Sequence, residues 1–149
     1  MVSMLAALLF FGSPKSEVQH FTIKPWVVTV THDKFTGAAL CSARARGLRL
    51  DGDRLSLDVG REVEATEAVY RMDAGPAQKL SSLVSDGDYR ESFHFDPERD
   101  ARLVFLKTSD VAGVQKVFVR PDSRHGVASF DLAALPKVIA AEKGAGCGS

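Results

Sequence analysis

Apolar and polar residues alternate with a period of two through most of the chain. The clearest stretch is Trp26–His32, where Trp26, Val28 and Val30 alternate with Val27, Thr29 and Thr31. β-Branched and aromatic residues at that spacing predict a strand with one buried face. Asp33-Lys34-Phe35-Thr36-Gly37 then reads as a loop. Ala38–Ala45 predicts a second strand, with Cys41, Ala43 and Ala45 on one face and Ser42 and Arg44 on the other. Asp51-Gly52-Asp53 predicts a hairpin turn between Leu48–Leu50 and Arg54–Val59. In the second arm Leu55, Leu57 and Val59 face inward.

Further strands are expected at Glu67–Asp73, ending at Ala74-Gly75-Pro76, and at Tyr89–Phe95 after a second Asp-Gly-Asp turn, Asp86-Gly87-Asp88. Three more are expected at Arg102–Lys107, Val114–Arg120 and Val127–Phe130. Ala77–Val84 is ambiguous between periods. Thr108-Ser109-Asp110 suits the cap of a single turn ending at Gly113. The tail changes period: Leu132, Leu135, Val138 and Ile139 recur at helical spacing, with Lys137, Glu142 and Lys143 placed off that face. Pro136 suits a first helical turn and Gly144 a helix end.

About eight short strands with closely spaced turns predict a mainly β domain, an antiparallel sandwich or partly open barrel, with a C-terminal helix. The expected core is Trp26, Val28, Val30, Leu55, Leu57, Tyr70, Phe105, Leu106, Val117 and Val119. Leu135, Val138 and Ile139 are expected to lie against it. No βαβ alternation, repeat or linker divides the chain.

The N-terminus breaks this pattern. Met4–Phe11 is an unbroken apolar run of eight, followed by Gly12-Ser13-Pro14-Lys15-Ser16. Spanning a bilayer takes about 20 residues. The run fits the apolar core of an export leader, although no Lys or Arg precedes it and no small-x-small cleavage site follows. Residues 1–16 are therefore expected to be a leader and 17–149 a single β-rich domain. The alternative is a buried N-terminal strand or helix.

Composition excludes several classes. Of 149 residues, 45% are hydrophobic and 26% charged, as in ordinary globular domains and unlike disordered or polytopic membrane chains. Nineteen basic residues balance nineteen acidic ones, so the basic footprint of a nucleic-acid binder is missing. Charge is uneven locally. Ser42–Arg54 carries Arg44, Arg46, Arg49 and Arg54 against Asp51 and Asp53, net +2, whereas Asp58–Asp73 is net −3. Such asymmetry suits a surface for a charged partner, or a plain mosaic surface.

Two cysteines are present, Cys41 in a strand and Cys147 in a Gly-rich tail. A tail cysteine has little packing role of its own. Pairing with Cys41 would tie the C-terminus to the sheet and suit an oxidising compartment; two free thiols are the alternative.

Chemical motifs are scarce. From Asp51, a calcium loop would place Asp53 at position three and Glu62 at twelve, but Ser56 stands where the loop needs glycine. The second copy has Arg90 at position five. His20, His32, His94 and His125 have no zinc spacing. No nucleophile elbow, phosphate loop or dinucleotide fingerprint occurs. No metal, cofactor or catalytic residue is expected.

The leader, Pro25-Trp26-Val27-Val28-Thr29-Val30, the strand cysteine Cys41, Val117-Phe118-Val119-Arg120 and Phe130-Asp131-Leu132 before a helix resemble small exported bacterial proteins of the invasion-associated locus B type. The resemblance covers most of Trp26–Val138. It implies a compact periplasmic or secreted β-domain without an established enzymatic activity. Where that pattern has a second central cysteine pair, this chain has only Cys147.

Three functions are thus in view. The first is a non-enzymatic exported domain binding a protein or envelope component. The second is a small inhibitor of an extracytoplasmic enzyme that presents a loop. The third is a hydrolase of unrecognised type, with His94 or His32 in a polar pocket. The candidate binding loops are Asp33, Lys34 and Phe35, and Asp86, Asp88, Tyr89 and Arg90. The partner is unknown, nucleic acid is not expected, and no membrane span is expected in the mature chain.

Overall fold

A computed structural model describes residues 16–64, 66–80 and 102–148. The leader run, the turn holding Asp86, Asp88, Tyr89 and Arg90, and His94 lie outside the described residues.

Among the described residues two antiparallel sheets form, and neither closes into a barrel. The larger sheet takes β1 (Glu17–Ile23), β2 (Trp26–His32), β3 (Ala39–Ala45), β4 (Leu48–Asp51), β5 (Arg54–Asp58) and β8 (Leu103–Lys107), in that spatial order. The smaller takes β10 (Ala128–Asp131), β9 (Lys116–Arg120), β6 (Val69–Met72) and β7 (Gln78–Lys79). One helix, α1 (Leu135–Gly144), follows β10. A 3-10 turn at Thr108–Val111 follows β8.

Register explains the core. Phe21, Val28, Ala43, Leu50, Leu55 and Leu106 stand opposite one another in one row across all six strands. A parallel row runs Ala45, Leu48, Leu57, Val104. In the smaller sheet Met72, Val117 and Phe130 form one row and Tyr70, Val119 and Ala128 another. These inward residues join in a single apolar cluster with Leu132, Leu135 and Val138. Each fully buried Val or Leu contributes about 1.5–3 kcal/mol of burial energy, offset by ordering entropy.

Three expectations need correction. β1 was not expected; its Gln19, Phe21 and Ile23 alternate more weakly than β2, and it pairs with β2 along its whole length. Phe105 is half-buried on the outer face rather than in the core. β8 pairs Leu55 with Leu106 and Leu57 with Val104, so Val104 takes the inward place and Phe105 lies opposite Ser56. Glu142 is buried, although placed off the helix's apolar face by the sequence. Leu135, Val138 and Glu142 are spaced by three and four, which puts all three on one stripe. Leu135, Val138 and the half-buried Ile139 pack on the core as expected.

Cys41 and Cys147 are joined by a disulfide with a Cα–Cα distance of 5.7 Å. The tail is no loose tether. Cys147 N donates to Glu142 O at 2.9 Å, and Gly146 N donates to Lys143 O at 3.0 Å. With Gly146 at φ +89°, this is a Schellman cap. Left-handed glycine turns the chain back over α1 and delivers Cys147 to the sheet. The disulfide is compatible with an oxidising, extracytoplasmic compartment. No helix among the described residues is long and apolar enough to cross a membrane.

Candidate functional site

The connection between β2 and β3 is a closely hydrogen-bonded surface loop. Asp33 organises it. Its Oδ1 accepts from Phe35 N at 2.8 Å and from Thr36 N at 3.2 Å. Its backbone carbonyl accepts from Gly37 N at 2.7 Å, and its own N–H donates to Ala38 O at 2.8 Å. Thr36 Oγ1 accepts from Ala38 N at 3.2 Å. Asp is suited to this role because its short carboxylate reaches backbone N–H groups two and three residues on. Those N–H groups, Phe35 first, hold the Asp33 carboxyl below the usual carboxylate range. Gly37, at φ +72°, supplies the left-handed turn that closes the loop.

The loop carries an aromatic ring into solvent. Phe35 is 83% exposed. Lys34 Nζ reaches Glu17 Oε2 on β1 at 3.8 Å, an exposed pair of small energetic weight. Beside the loop, Val18, Thr31 and Leu40 lie opposite one another on β1, β2 and β3. They occupy the sheet's outer face, so Val18 and Leu40 are 51% and 74% exposed. Three of the five large exposed apolar side chains among the described residues therefore gather at one end of the sheet. β1 is also an edge of that sheet among the described strands.

Sequence reasoning singled out Asp33, Lys34 and Phe35 and missed Leu40 and Val18. The signal for Leu40 was its phase: it shares the outward set of β3 with Ser42 and Arg44. Val18 lay on the strand that was not expected.

The outer face holds a second feature. Arg44 and Arg49 stand directly opposite on β3 and β4, with Ser56 and Phe105 continuing the row. Arg54 lies over the Phe105 ring, 5.2 Å from its centroid. Arg49 is tied to Asp51, and Arg102 pairs with Asp58 at 2.8 Å. The basic stretch of the sequence is thus a real face, partly neutralised by its own carboxylates.

The histidines do not converge among the described residues. His20 Nδ1 lies 3.0 Å from Thr29 Oγ1, and His125 Nδ1 lies 2.6 Å from Asp122 Oδ2 at the opposite sheet. His32 is half-buried at the end of β2. Among the described residues no group of three or more His, Cys, Asp or Glu is placed to hold a metal ion. The Asp51-Gly52-Asp53 turn joins β4 to β5 as an ordinary hairpin.

No family model, curated protein or solved structure matches this chain.

Proposed function

We propose that the protein is a non-enzymatic exported domain, periplasmic or secreted, that binds a protein or envelope component through the β2–β3 loop. The observation that carries this reading is Phe35, 83% exposed on a loop held by five hydrogen bonds. A large ring in water gains nothing for the fold. Presented on a rigid loop, it loses little freedom when a partner buries it, and such aromatics dominate interface energies. Leu40 and Val18 extend the contact beside it, and clustered exposed apolar groups mark interaction surfaces.

The disulfide and the apolar N-terminal run support the compartment. The resemblance to the invasion-associated locus B type points the same way. A second reading, an inhibitor of an extracytoplasmic enzyme, is favoured by the rigidity of the Asp33–Gly37 loop.

The test is retention of envelope-fraction proteins on the immobilised protein, set against its Phe35→Ser and Val127→Ser variants. Binding lost with Phe35→Ser and kept with Val127→Ser supports the reading. Equal retention by all three contradicts it. Inhibition of a retained hydrolase would select the inhibitor reading.

A further inference from the structure

A buried carboxyl lies at the same end of the larger sheet as the β2–β3 loop, beside the Cys41–Cys147 bridge, and is no part of the loop's exposed surface. Glu142 is 6% exposed, and its Oε1 is buried without a hydrogen-bond partner. An acid left unpaired in an apolar setting costs stability, so its presence calls for a counterpart. Glu142 lines a hollow of about 540 Å³ between the C-terminal end of α1, the β4–β5 turn and the 3-10 turn. Asp53, Thr108, Lys143 and the Cys41–Cys147 bridge form its other walls. A second hollow of about 470 Å³ shares Thr108, Ile139 and Lys143 with it and runs on along Val111 and Leu135. Together they make a largely apolar pit, with Glu142 and Asp53 on its wall, that opens into an apolar groove; a mostly apolar hollow with a few polar groups is the usual composition of a small-ligand site.

The charges around the pit decide the ligand. Glu142 comes from α1, Asp51 from β4 and Asp53 from the turn after it. Asp51 is engaged by Arg49. Lys143, exposed at the junction of the two hollows, is the cation among the lining residues. The balance favours a positively charged head.

We propose that this pit and groove bind an amphipathic organic cation, an amine whose ammonium head meets Glu142 and Asp53 and whose apolar body lies along Ile139, Leu135 and Val111. Burial, and then the neighbouring Asp51, push the Glu142 carboxyl up to about 7. The empty site therefore holds Glu142 largely protonated below neutrality. The ammonium head stabilises the carboxylate, so binding releases the Glu142 proton and strengthens as pH rises through that range.

The experiment is calorimetric titration of the full chain with hexylammonium chloride and with sodium hexanoate, near pH 5.5 and pH 8.5. Saturable amine binding at least about tenfold tighter at the higher pH is expected, with no hexanoate binding, since a charge-assisted contact is worth that much or more. Glu142→Gln keeps size and polarity, and should remove the pH dependence and weaken the amine about tenfold. The carboxyl resonance of Glu142 should also titrate at lower pH when the amine is present. Equal binding of amine and hexanoate, pH-independent amine binding, or no saturable binding would each overturn the proposal. None of these outcomes bears on Phe35, so the two readings stand or fall separately.

Discussion

Gly47 and Phe130 meet across the two sheets: a β-carbon on Gly47 would stand 3.2 Å from Phe130 Cε1. Gly47 ends the β3–β4 hairpin at φ +69°, and Phe130 is buried on β10. The larger sheet can approach the smaller one here because the turn has no side chain. Gly47→Ala adds both backbone strain and a tight contact with a ring that has little room. Its expected cost is about 1–3 kcal/mol in urea unfolding. An unchanged midpoint would mean that the sheets are not apposed at this turn.

Reduction of the Cys41–Cys147 bond should lower stability by about 2–4 kcal/mol, because it closes a long loop. The sequence separation is 106. Denaturant unfolding with and without reductant measures this, and a Cys41→Ala/Cys147→Ala variant should match the reduced protein. Gly146→Ala should weaken the oxidised protein as well, since Gly146 holds the left-handed position that aims Cys147 at the sheet.

Glu142 should give the free protein an unusual pH profile. Its carboxyl lies near 7 in the fold against an ordinary value of 4.5 in the unfolded chain. Between those values the folded state binds the extra proton. Stability from this group is therefore fully present below about 4.5 and is lost as pH rises through about 7. Glu142→Gln should abolish that loss and raise stability near pH 8 by on the order of 1–3 kcal/mol. A parallel profile for the two proteins would contradict the buried state of the carboxyl and its unpartnered Oε1.

Asp33→Ala should loosen the β2–β3 loop while leaving the core intact. The loop's exposed residues contribute little to global stability, so the melting midpoint should barely move. Amide exchange at Phe35, Thr36 and Gly37 should rise sharply. The wild-type loop should loosen in acid as well. Asp33 is held below its ordinary range, so its ordering contribution exists above the unfolded value and disappears as pH falls through the folded one.

Much of the fold was legible in the two-residue period. Trp26, Val28 and Val30, and Leu55 and Leu57, are buried where alternation placed them. Hairpin chemistry located the β4–β5 turn. Phe105 was misplaced because hydrophobicity alone cannot say which face of a strand is inward when both carry large residues; pairing with β5 decides it. Glu142 was misplaced because a charged residue on an apolar stripe reads as its edge. Phe35 was legible as a loop residue, but its exposure was not. That depends on Asp33 tying the loop away from the core, which no local pattern reveals.

Site-specific photo-crosslinking from Phe35 tests the central claim most directly. A benzophenone amino acid at position 35, and separately at 40 and 127, is expressed in the exporting cell and irradiated. Positions 35 and 40 should give the same discrete adduct, and position 127 none. An excess of wild-type protein should suppress the adduct, and an excess of the Phe35→Ser variant should not. No adduct from position 35, or equal labelling from 127, would show that the β2–β3 loop is not the binding surface.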